Sequence, residues 1–477
     1  MSNKSLITRQ ARHFRATVIV LDSAGIGVMP NHPPIDDGAN TISNTAAYYE
    51  AHHPGKFQLP NLQALGLGNI AYVPGVPAAK EPAGSFGVLT LDPVIMTDTI
   101  TGHWGLMGLN TGVYPTYLSG IPLPLMEKVE ADVSKRLGEQ IQLLKDGRNI
   151  SGTTILELVG EKELPIIYTS SDSVFQLAVP VGKEIGPDDS IFENANFFPL
   201  LENGKRFAIS RSKINRMYDI CHACKAFLNE SSDPGDKFLR IIARPFAKRA
   251  TVGPKGEKFV RITSLRKDYT LPVPGETILD HALAVGYQNM GVGKFYDIFS
   301  SQGFSSALPD PKEGRHLKGN SEGVDFTLQL LKEENSGIIG VNLVDFDEQF
   351  GHRNDPIGYA KALMEFDGRL PEIFAAMGDW DIVMISADHG NDPTRGLTKL
   401  WMEKNGLAPA IYQSRGTNHT REFVPLLVFG NPVKRGIDLG IRALADVGAT
   451  IADYLGFFTS PNGKSLAKNH PLFPSLL

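Results

Sequence analysis

Three short apolar runs in this chain are each followed by an acidic residue, and this repeated pattern limits the fold more than any other feature. The runs are Ala16 to Leu21, Ile338 to Val344 and Asp381 to Ser386, and the acids after them are Asp22, Asp347 and Asp388. Their length and apolar character are typical of buried parallel strands. Helical stretches such as Ile357 to Met377 lie between them. We therefore predict an α/β fold with a doubly wound sheet, whose sites form outside the carboxyl ends of the strands.

The middle of the chain has a different character. From about residue 113 to residue 285 it carries strand-like runs of its own, at Pro165 to Thr169 and Leu239 to Ala243, and the acid-tipped strands resume only afterwards. This order predicts a discontinuous core formed by residues 1–112 and 286–477, with an α+β domain, residues 113–285, inserted into it.

The acids and histidines at the predicted strand ends are candidate metal ligands. They are Asp22, Asp347, His352, Asp388, His389 and His419, the last of which precedes a fourth apolar run, Val424 to Phe429. An ionised acid at a partly buried strand end is costly unless it is paired or binds a metal. Mixed oxygen and imidazole ligands suit manganese, zinc or iron, and six residues are enough for two ions. Taken singly, Asp388 could instead cap the following segment and His419 could be an ordinary loop histidine.

Thr99 is the candidate nucleophile, in the segment Asp98-Thr-Ile-Thr-Gly-His-Trp104. A threonine hydroxyl is a weak nucleophile unless metal coordination activates it, and near a metal pair it could attack phosphorus. The alternative is structural, with the Thr101 hydroxyl capping the start of a short helix into which Gly102 leads.

Charge and hydropathy exclude several classes of partner. With 47 Lys and Arg against 52 Asp and Glu, the net charge of −5 argues against nucleic acid and anionic membranes and favours a small molecule. No apolar run approaches the roughly 18 residues that cross a bilayer. The basic first fifteen residues contain no acid, which we interpret as a basic tail rather than a targeting segment.

The two cysteines, Cys221 and Cys224, are too few for a disulfide scaffold and favour a cytoplasmic location. Their spacing could suggest zinc, but the second ligand pair of a structural zinc site is missing, so we expect a packed helix over Ile214 to Phe227.

Several segments together resemble the phosphopentomutase family of the alkaline phosphatase superfamily. They include Val20-Leu-Asp22-Ser-Ala-Gly-Ile-Gly, Asp98-Thr-Ile-Thr-Gly-His-Trp, Asn342-Leu-Val-Asp-Phe-Asp347, Gly351-His352-Arg353, Ala387-Asp388-His389-Gly-Asn-Asp-Pro-Thr and Gly416-Thr-Asn-His419-Thr-Arg-Glu-Phe-Val-Pro. In the inserted domain, Tyr168 to Gln176, Ile241 to Phe246 and Gly293-Lys294 are similar to that family's sugar-phosphate-binding segments.

The resemblance implies an alkaline-phosphatase-like core with two Mn²⁺ ions, although other divalent metals would also suit these ligands. One ion would be held by Asp22, Asp388, His389 and the Thr99 hydroxyl, and the other by Asp347, His352 and His419. Thr99 would carry phosphate. The implied enzyme is an isomerase, an intramolecular phosphotransferase that interconverts ribose 1-phosphate and ribose 5-phosphate, or the 2-deoxy sugars, in nucleoside and pentose phosphate metabolism.

The resemblance also implies how the substrate is held. Ser170, Asp172, Arg244 and Lys294 would bind the non-reacting phosphate and the sugar hydroxyls from the inserted cap domain. A sugar bisphosphate would act as activator. The sequence predicts no oligomeric state.

Three departures from the family pattern bear on specificity. Met96-Thr97 stands where the family commonly has a lysine, and extra chain occurs at residues 395–415 and 182–213. These changes leave the metal set intact. They keep open a mutase or phosphatase for another phosphosugar, or a catalytically silent paralogue.

Overall fold

The computed structural model describes residues 9–10, 13–33, 36–91, 97–109, 117, 119–150, 152–169, 174–186, 189, 196–238, 240–253, 256–270, 272–313, 315–396, 419–457, 462–468 and 472–474. The chain divides into two compact units. Unit 1 consists of Met1–Gly112 and Val273–Leu477, and unit 2 of Val113–Pro272.

The strands and helices are numbered along the chain. The strands are β1 (Arg15–Leu21), β2 (Ser85–Thr90), β3 (Leu144–Asn149), β4 (Ile166–Thr169), β5 (Phe175–Ile185), β6 (Phe197–Glu202), β7 (Lys205–Ser210), β8 (Arg240–Lys248), β9 (Phe259–Arg261), β10 (Lys267–Thr270), β11 (Met290–Val292), β12 (Ser306–Leu308), β13 (Gly337–Leu343), β14 (Asp381–Ser386), β15 (Val424–Phe429) and β16 (Asp438–Ala443). The α-helices are α1 (Thr41–His52), α2 (Pro60–Leu65), α3 (Leu67–Ile70), α4 (Thr99–Leu106), α5 (Leu123–Leu137), α6 (Gly152–Val159), α7 (Arg211–Glu230), α8 (Ile278–Ala284), α9 (Phe295–Ile298), α10 (Asn320–Leu331), α11 (Pro356–Ala376) and α12 (Leu444–Leu455).

Unit 1 is built on one mixed sheet, with strand order β12-β11-β13-β1-β14-β15-β2-β16. β1 is central, and every residue in it is buried. It pairs in parallel with β13 and β14, so that Leu21 lies beside Leu343 and Val20 beside Ser386. The predicted α/β class is confirmed, and the three acid-tipped runs are neighbouring strands.

The fourth predicted strand runs in the opposite direction from its neighbour. β15 pairs with β14 in an antiparallel register, with Val383 beside Phe429. The parallel arrangement that the sequence predicts for the three acid-tipped runs therefore does not extend to this fourth strand. An uninterrupted buried apolar run satisfies either direction equally well, because all of its side chains are covered on both faces.

Unit 2 has its own sheet, in the order β10-β8-β5-β4-β3, with β7 pairing with β5 and β6, and β9 with β8. Its core includes α7, in which Cys221 and Cys224 are buried free thiols, as the packed-helix interpretation predicts. The described part of the extra segment 182–213 forms the end of β5, the β6–β7 hairpin and the start of α7. Of the other extra segment, 395–415, residues 397–415 lie outside the described residues.

Unit 2 ends at Pro272, whereas the sequence predicted a boundary at residue 285. The difference concerns α8, which packs within unit 1. The backbone N–H of Ile278 donates to the Met107 carbonyl at 3.0 Å, and Asn289 Nδ2 donates to the Leu279 carbonyl at 2.8 Å. Across the described residues, no helix is both long enough and apolar enough to span a bilayer.

Candidate metal centre

The sheet of unit 1 places the three predicted acids at one edge. Asp22 follows β1 directly, Asp388 lies two residues beyond β14, and Asp347 lies in a wide helical turn, Phe346–Phe350, after β13. Because β1, β13 and β14 are parallel neighbours, their carboxyl ends meet at the same edge. All three carboxylates are buried.

The antiparallel direction of β15 brings His419 to this edge as well. A strand that runs the opposite way begins where its neighbours end, so the residues just before β15 lie near the residues just after β14. Backbone hydrogen bonds in both directions between Gly390 and Thr420 join these two segments. As a result, the His389 and His419 rings stack with their centroids 3.8 Å apart.

Thr99 is placed by helix α4, of which it is the first residue. Asp98 caps this helix, since its Oδ2 accepts from the backbone N–H of Ile100 at 2.9 Å. The alternative in which Thr101 caps the helix is therefore wrong. The Thr99 hydroxyl lies 3.0 Å from His389 Nε2. A helix N-terminus presents backbone N–H groups and a positive dipole end, which favour a phosphate at this position.

Asp22, Asp388 and His389 form one group whose potential ligand atoms all lie within 4.8 Å of one another. His389 Nε2 is 3.6 Å from Asp22 Oδ1 and 3.4 Å from Asp388 Oδ2. His389 Nδ1 lies 3.1 Å from the Gly390 carbonyl, which can only accept, so Nδ1 carries the ring proton and Nε2 presents its lone pair. Among the described residues, Asp22 Oδ1 is buried and accepts no hydrogen bond, and the buried Asp388 Oδ2 has only a long contact with His103 Nδ1, at 3.3 Å. Lone pairs that converge in this way fit a cation.

Asp347, His389 and His419 form a second such group. His352 Nε2 lies 3.0 Å from Asp347 Oδ2 and 3.3 Å from His419 Nε2, so all three residues predicted for the second ion are close together. His419 Nδ1 faces the Thr97 carbonyl at 3.0 Å, which leaves its Nε2 directed toward Asp347. His389 lies between the two groups rather than in the first alone.

The pKa values of Asp22 and Asp347 are shifted in opposite directions. Burial, together with the charges of Asp388 and Asp347, holds the pKa of Asp22 well above its usual range. Burial would also raise the pKa of Asp347, but His352 and His419 outweigh it and hold the value well below that range. Burial lowers the pKa of His389, which favours the neutral imidazole that metals bind. A cation would compensate the repulsion between these acids.

The predicted substrate contacts do not all belong to one unit. Arg244 lies on β8 of unit 2, where its Nε donates to Gln176 Oε1 at 2.8 Å. Lys294 belongs to unit 1 rather than to the inserted domain; it precedes α9 and pairs with Glu348 at 2.7 Å. Ser170 and Asp172 lie outside the described residues.

Sequence reasoning assigned no role to the neutral and charged groups that surround the ligands. These are His103, Asn342, Asn391 and Glu422, all of them buried. His103 stands four residues after Thr99 in α4, a spacing that places both on one helix face and could have indicated a contact. Its Nδ1 lies 2.8 Å from the Thr99 carbonyl and 3.3 Å from Asp388 Oδ2. For the two asparagines the sequence offers no comparable signal.

Comparison with known proteins gives consistent matches. Residues 276–458 match the model of the metalloenzyme superfamily. The chain is 36% identical over 462 residues to a phosphopentomutase of Alkaliphilus metalliredigens, covering 95% of this chain and 98% of the relative. It is 38% identical over 459 residues to a phosphopentomutase of Desulfitobacterium hafniense, covering 94% and 98%. Among solved structures, phosphoglycerate mutase of Leishmania mexicana aligns with a TM-score of 0.47 and 12% identity, over 95% of this chain and 97% of that one.

Proposed function

The chain belongs to the phosphopentomutase family, and from that membership we propose that it interconverts ribose 1-phosphate and ribose 5-phosphate, or their 2-deoxy equivalents, through a phosphothreonine at Thr99. The observation that carries this proposal is the Thr99 hydroxyl at the start of α4, 3.0 Å from His389 Nε2 and beside two groups of convergent ligand atoms.

We propose two Mn²⁺ ions for these groups. Asp22, Asp388, His389 and Thr99 would hold one ion, and Asp347, His352 and His419 the other. The unpartnered Asp22 Oδ1 supports this assignment, as does the raised pKa of Asp22, which a cation would relieve. When bound, the ions would neutralise charge on the transferring phosphoryl group and favour the deprotonated threonine oxygen.

The chain's own residues then account for the transfer. Phosphothreonine at Thr99 passes its phosphoryl group to the free hydroxyl of the sugar monophosphate, so the Thr–O–P bond breaks, a sugar O–P bond forms and the proton of the sugar hydroxyl passes to the departing threonine oxygen. The resulting bisphosphate returns its other phosphoryl group to Thr99, and the sugar oxygen released takes up the proton that the threonine hydroxyl gives up. The threonine is left phosphorylated for the next cycle, which is why a sugar bisphosphate would activate an enzyme that has lost its phosphate.

Arg244, Lys294, Ser170 and Asp172 would hold the non-reacting phosphate and the sugar hydroxyls. A guanidinium suits this role because it grips phosphate through two parallel hydrogen bonds. Burial lowers the pKa of Arg244 to about 10, so the side chain is still a cation at neutral pH. We place the enzyme in the cytoplasm, in keeping with the buried free thiols of Cys221 and Cys224.

Intact-mass analysis and peptide mapping test the phosphothreonine. The manganese-loaded protein is incubated with a pentose bisphosphate, and we expect a gain of one phosphoryl group that maps to Thr99. Thr99→Val should gain none. Thr101→Val is the matched control, because it removes a hydroxyl that donates to the Asp98 carbonyl in the same helix, and it should gain phosphate normally. Phosphate on another residue, or normal labelling of Thr99→Val, would contradict the proposal.

A further inference from the structure

Two buried asparagines lie behind the ligand carboxylates. We propose that Asn342 and Asn391 are positioning residues, each of which orients the carboxylate of one metal group and thereby sets the affinity of that group for its ion. The proposal deepens the function proposed above and rests on the two-ion site.

Asn342, near the end of β13, holds Asp22. Its Nδ2 donates to Asp22 Oδ2 at 2.8 Å and lies 3.1 Å from His103 Nε2. Turning the amide over would set its oxygen against the carboxylate, so the orientation is fixed by Asp22. Among the described residues, Asn342 Oδ1 is buried without a hydrogen-bond partner, which shows that the amide serves the carboxylate at the expense of its own oxygen.

Asn391 repeats this arrangement at the second group. Its Nδ2 donates to Asp347 Oδ1 at 2.7 Å and lies 3.2 Å from His352 Nδ1. Within the described part of the chain, its Oδ1 is likewise buried and unpartnered. The backbone N–H of Asn391 donates to the Thr41 hydroxyl at 3.0 Å, and this hydrogen bond holds the backbone of the residue in place.

Each amide engages one carboxylate oxygen and leaves the other directed at a histidine of its group. Asp22 Oδ1 lies 3.6 Å from His389 Nε2, and Asp347 Oδ2 lies 3.0 Å from His352 Nε2. Without a donor behind it, either carboxylate could rotate away from its neighbouring acids, which repel it. Outer-shell groups of this kind orient metal ligands and tune their affinity.

His103 extends the effect of Asn342 across the first group. Because His103 Nε2 accepts from the Asn342 amide, its ring proton resides on Nδ1, which faces the Thr99 carbonyl at 2.8 Å and Asp388 Oδ2 at 3.3 Å. Asn342 is therefore connected to Asp22, Asp388 and Thr99, and Asn391 to Asp347 and His352. The two asparagines share none of these partners.

The test is Mn²⁺ titration of the full chain by calorimetry, for wild type, Asn342→Leu and Asn391→Leu. Leucine has the same number and branching of side-chain heavy atoms as asparagine and lacks the donor. We expect wild type to bind two equivalents, and each variant to keep one at wild-type affinity while the other weakens about 10- to 100-fold. Asn289→Leu is the matched control: it is equally buried and donates to two backbone carbonyls, but contacts no ligand, so both equivalents should be unchanged.

Combining these variants with ligand substitutions identifies which ion is affected. In an Asp22→Asn background, Asn342→Leu should weaken Mn²⁺ binding no further, whereas Asn391→Leu should weaken it. In an Asp347→Asn background, Asn391→Leu should have no further effect and Asn342→Leu should weaken binding. Asn342→Ser and Asn391→Ser, whose hydroxyls are too short to reach the carboxylates, provide the same comparison should either leucine variant fail to fold by circular dichroism. Loss of both ions together, or of neither, would overturn the inference. A wild-type protein that binds fewer than two ions would instead contradict the proposed function.

Discussion

At the scale of single residues, Glu422 shows how buried charge supports the site. Its carboxylate accepts from the backbone N–H groups of Gly27 and Thr41, at 3.2 and 2.8 Å, and from the Thr41 hydroxyl at 2.7 Å. Burial, with a contribution from Asp392, raises the pKa of Glu422 to about 7. The residue therefore joins the loop after β1 to the start of α1, at the cost of holding a carboxylate away from water.

This pKa predicts a pH dependence of stability. The folded chain binds a proton at Glu422 more tightly than the unfolded chain does. The stabilisation that this protonation gives the folded chain is therefore complete below pH 4.5 and is lost as the pH rises through about 7. The change amounts to about 3 kcal/mol. Glu422→Gln keeps the shape and cannot ionise. The difference between variant and wild type in free energy of unfolding, measured in urea with EDTA, should therefore grow from pH 5 to pH 7 in favour of glutamine, and a difference independent of pH would contradict this.

The proposed ligand residues stand out in the sequence, whereas the asparagines proposed to position them do not, for a physical reason. An acid such as Asp388 or Asp347 at a buried strand end requires compensation, so its presence in the sequence already implies a partner or a metal. An asparagine such as Asn342 or Asn391 can satisfy its amide almost anywhere. Only the structure shows that these two amides serve carboxylates.

At the scale of elements, close approach of α4 to the loop after β14 fixes the distance between Thr99 and His389. A Cβ atom at Gly102 would lie 2.5 Å from the Asp388 carbonyl oxygen and 2.7 Å from its Cβ. One turn further, the three atoms nearest to a Cβ at Gly105 would all belong to the Leu444 side chain, the closest at 3.0 Å. The helix can therefore lie this close to Asp388 only with glycine at position 102.

Gly102→Ala and Gly105→Ala form a matched pair in one buried helix. We expect Gly102→Ala to lower the free energy of unfolding by about 1–3 kcal/mol, since rigid backbone must move, and to weaken Mn²⁺ binding. Gly105→Ala should change stability by less than about 1 kcal/mol, because a leucine side chain can yield and alanine favours the helix. Urea unfolding and Mn²⁺ titration measure both effects. Equal losses in the two variants would contradict the close approach as the cause.

The strands were predictable as elements, but the direction of β15 was not. The apolar run Val424 to Phe429 is buried along its whole length, and such a run carries no signal for direction. The position of His419 before its strand, whereas Asp22 and Asp388 follow theirs, was the available indication. Only an antiparallel strand brings a residue in that position to the edge where the acids lie.

At the scale of the whole molecule, the residues proposed for metal binding and phosphoryl transfer belong to a different unit from the arginine proposed to bind substrate. Unit 1 contains Thr99 and every proposed metal ligand, whereas Arg244 belongs to unit 2. The sequence predicted the start of the insertion at residue 113 but extended it to 285, since the amino acids of α8 form a helix in either unit. The hydrogen bonds that join α8 to Met107 and Asn289 are contacts within unit 1.

This separation predicts distinct kinetic effects. Arg244→Met should raise KM for ribose 5-phosphate about 10- to 100-fold, the loss expected for hydrogen bonds to a charged group, while Mn²⁺ affinity stays at the wild-type value. Arg261→Met, at an exposed position of β9 in the same unit, should leave both quantities unchanged. An unaltered KM for Arg244→Met would remove this residue from the substrate site.

Phosphorus NMR of the reaction products is the most direct test of transfer through Thr99. The reaction is run with Mn²⁺, and the manganese is removed before the spectrum is recorded. Wild-type protein, Mn²⁺, ribose 1-phosphate and a trace of pentose bisphosphate should give ribose 5-phosphate without net release of phosphate. Thr99→Ala should reduce that conversion by at least about 10⁴-fold, as loss of a nucleophile does in other enzymes. Free phosphate as the product would indicate a phosphatase, and undiminished conversion by Thr99→Ala would contradict transfer through this threonine.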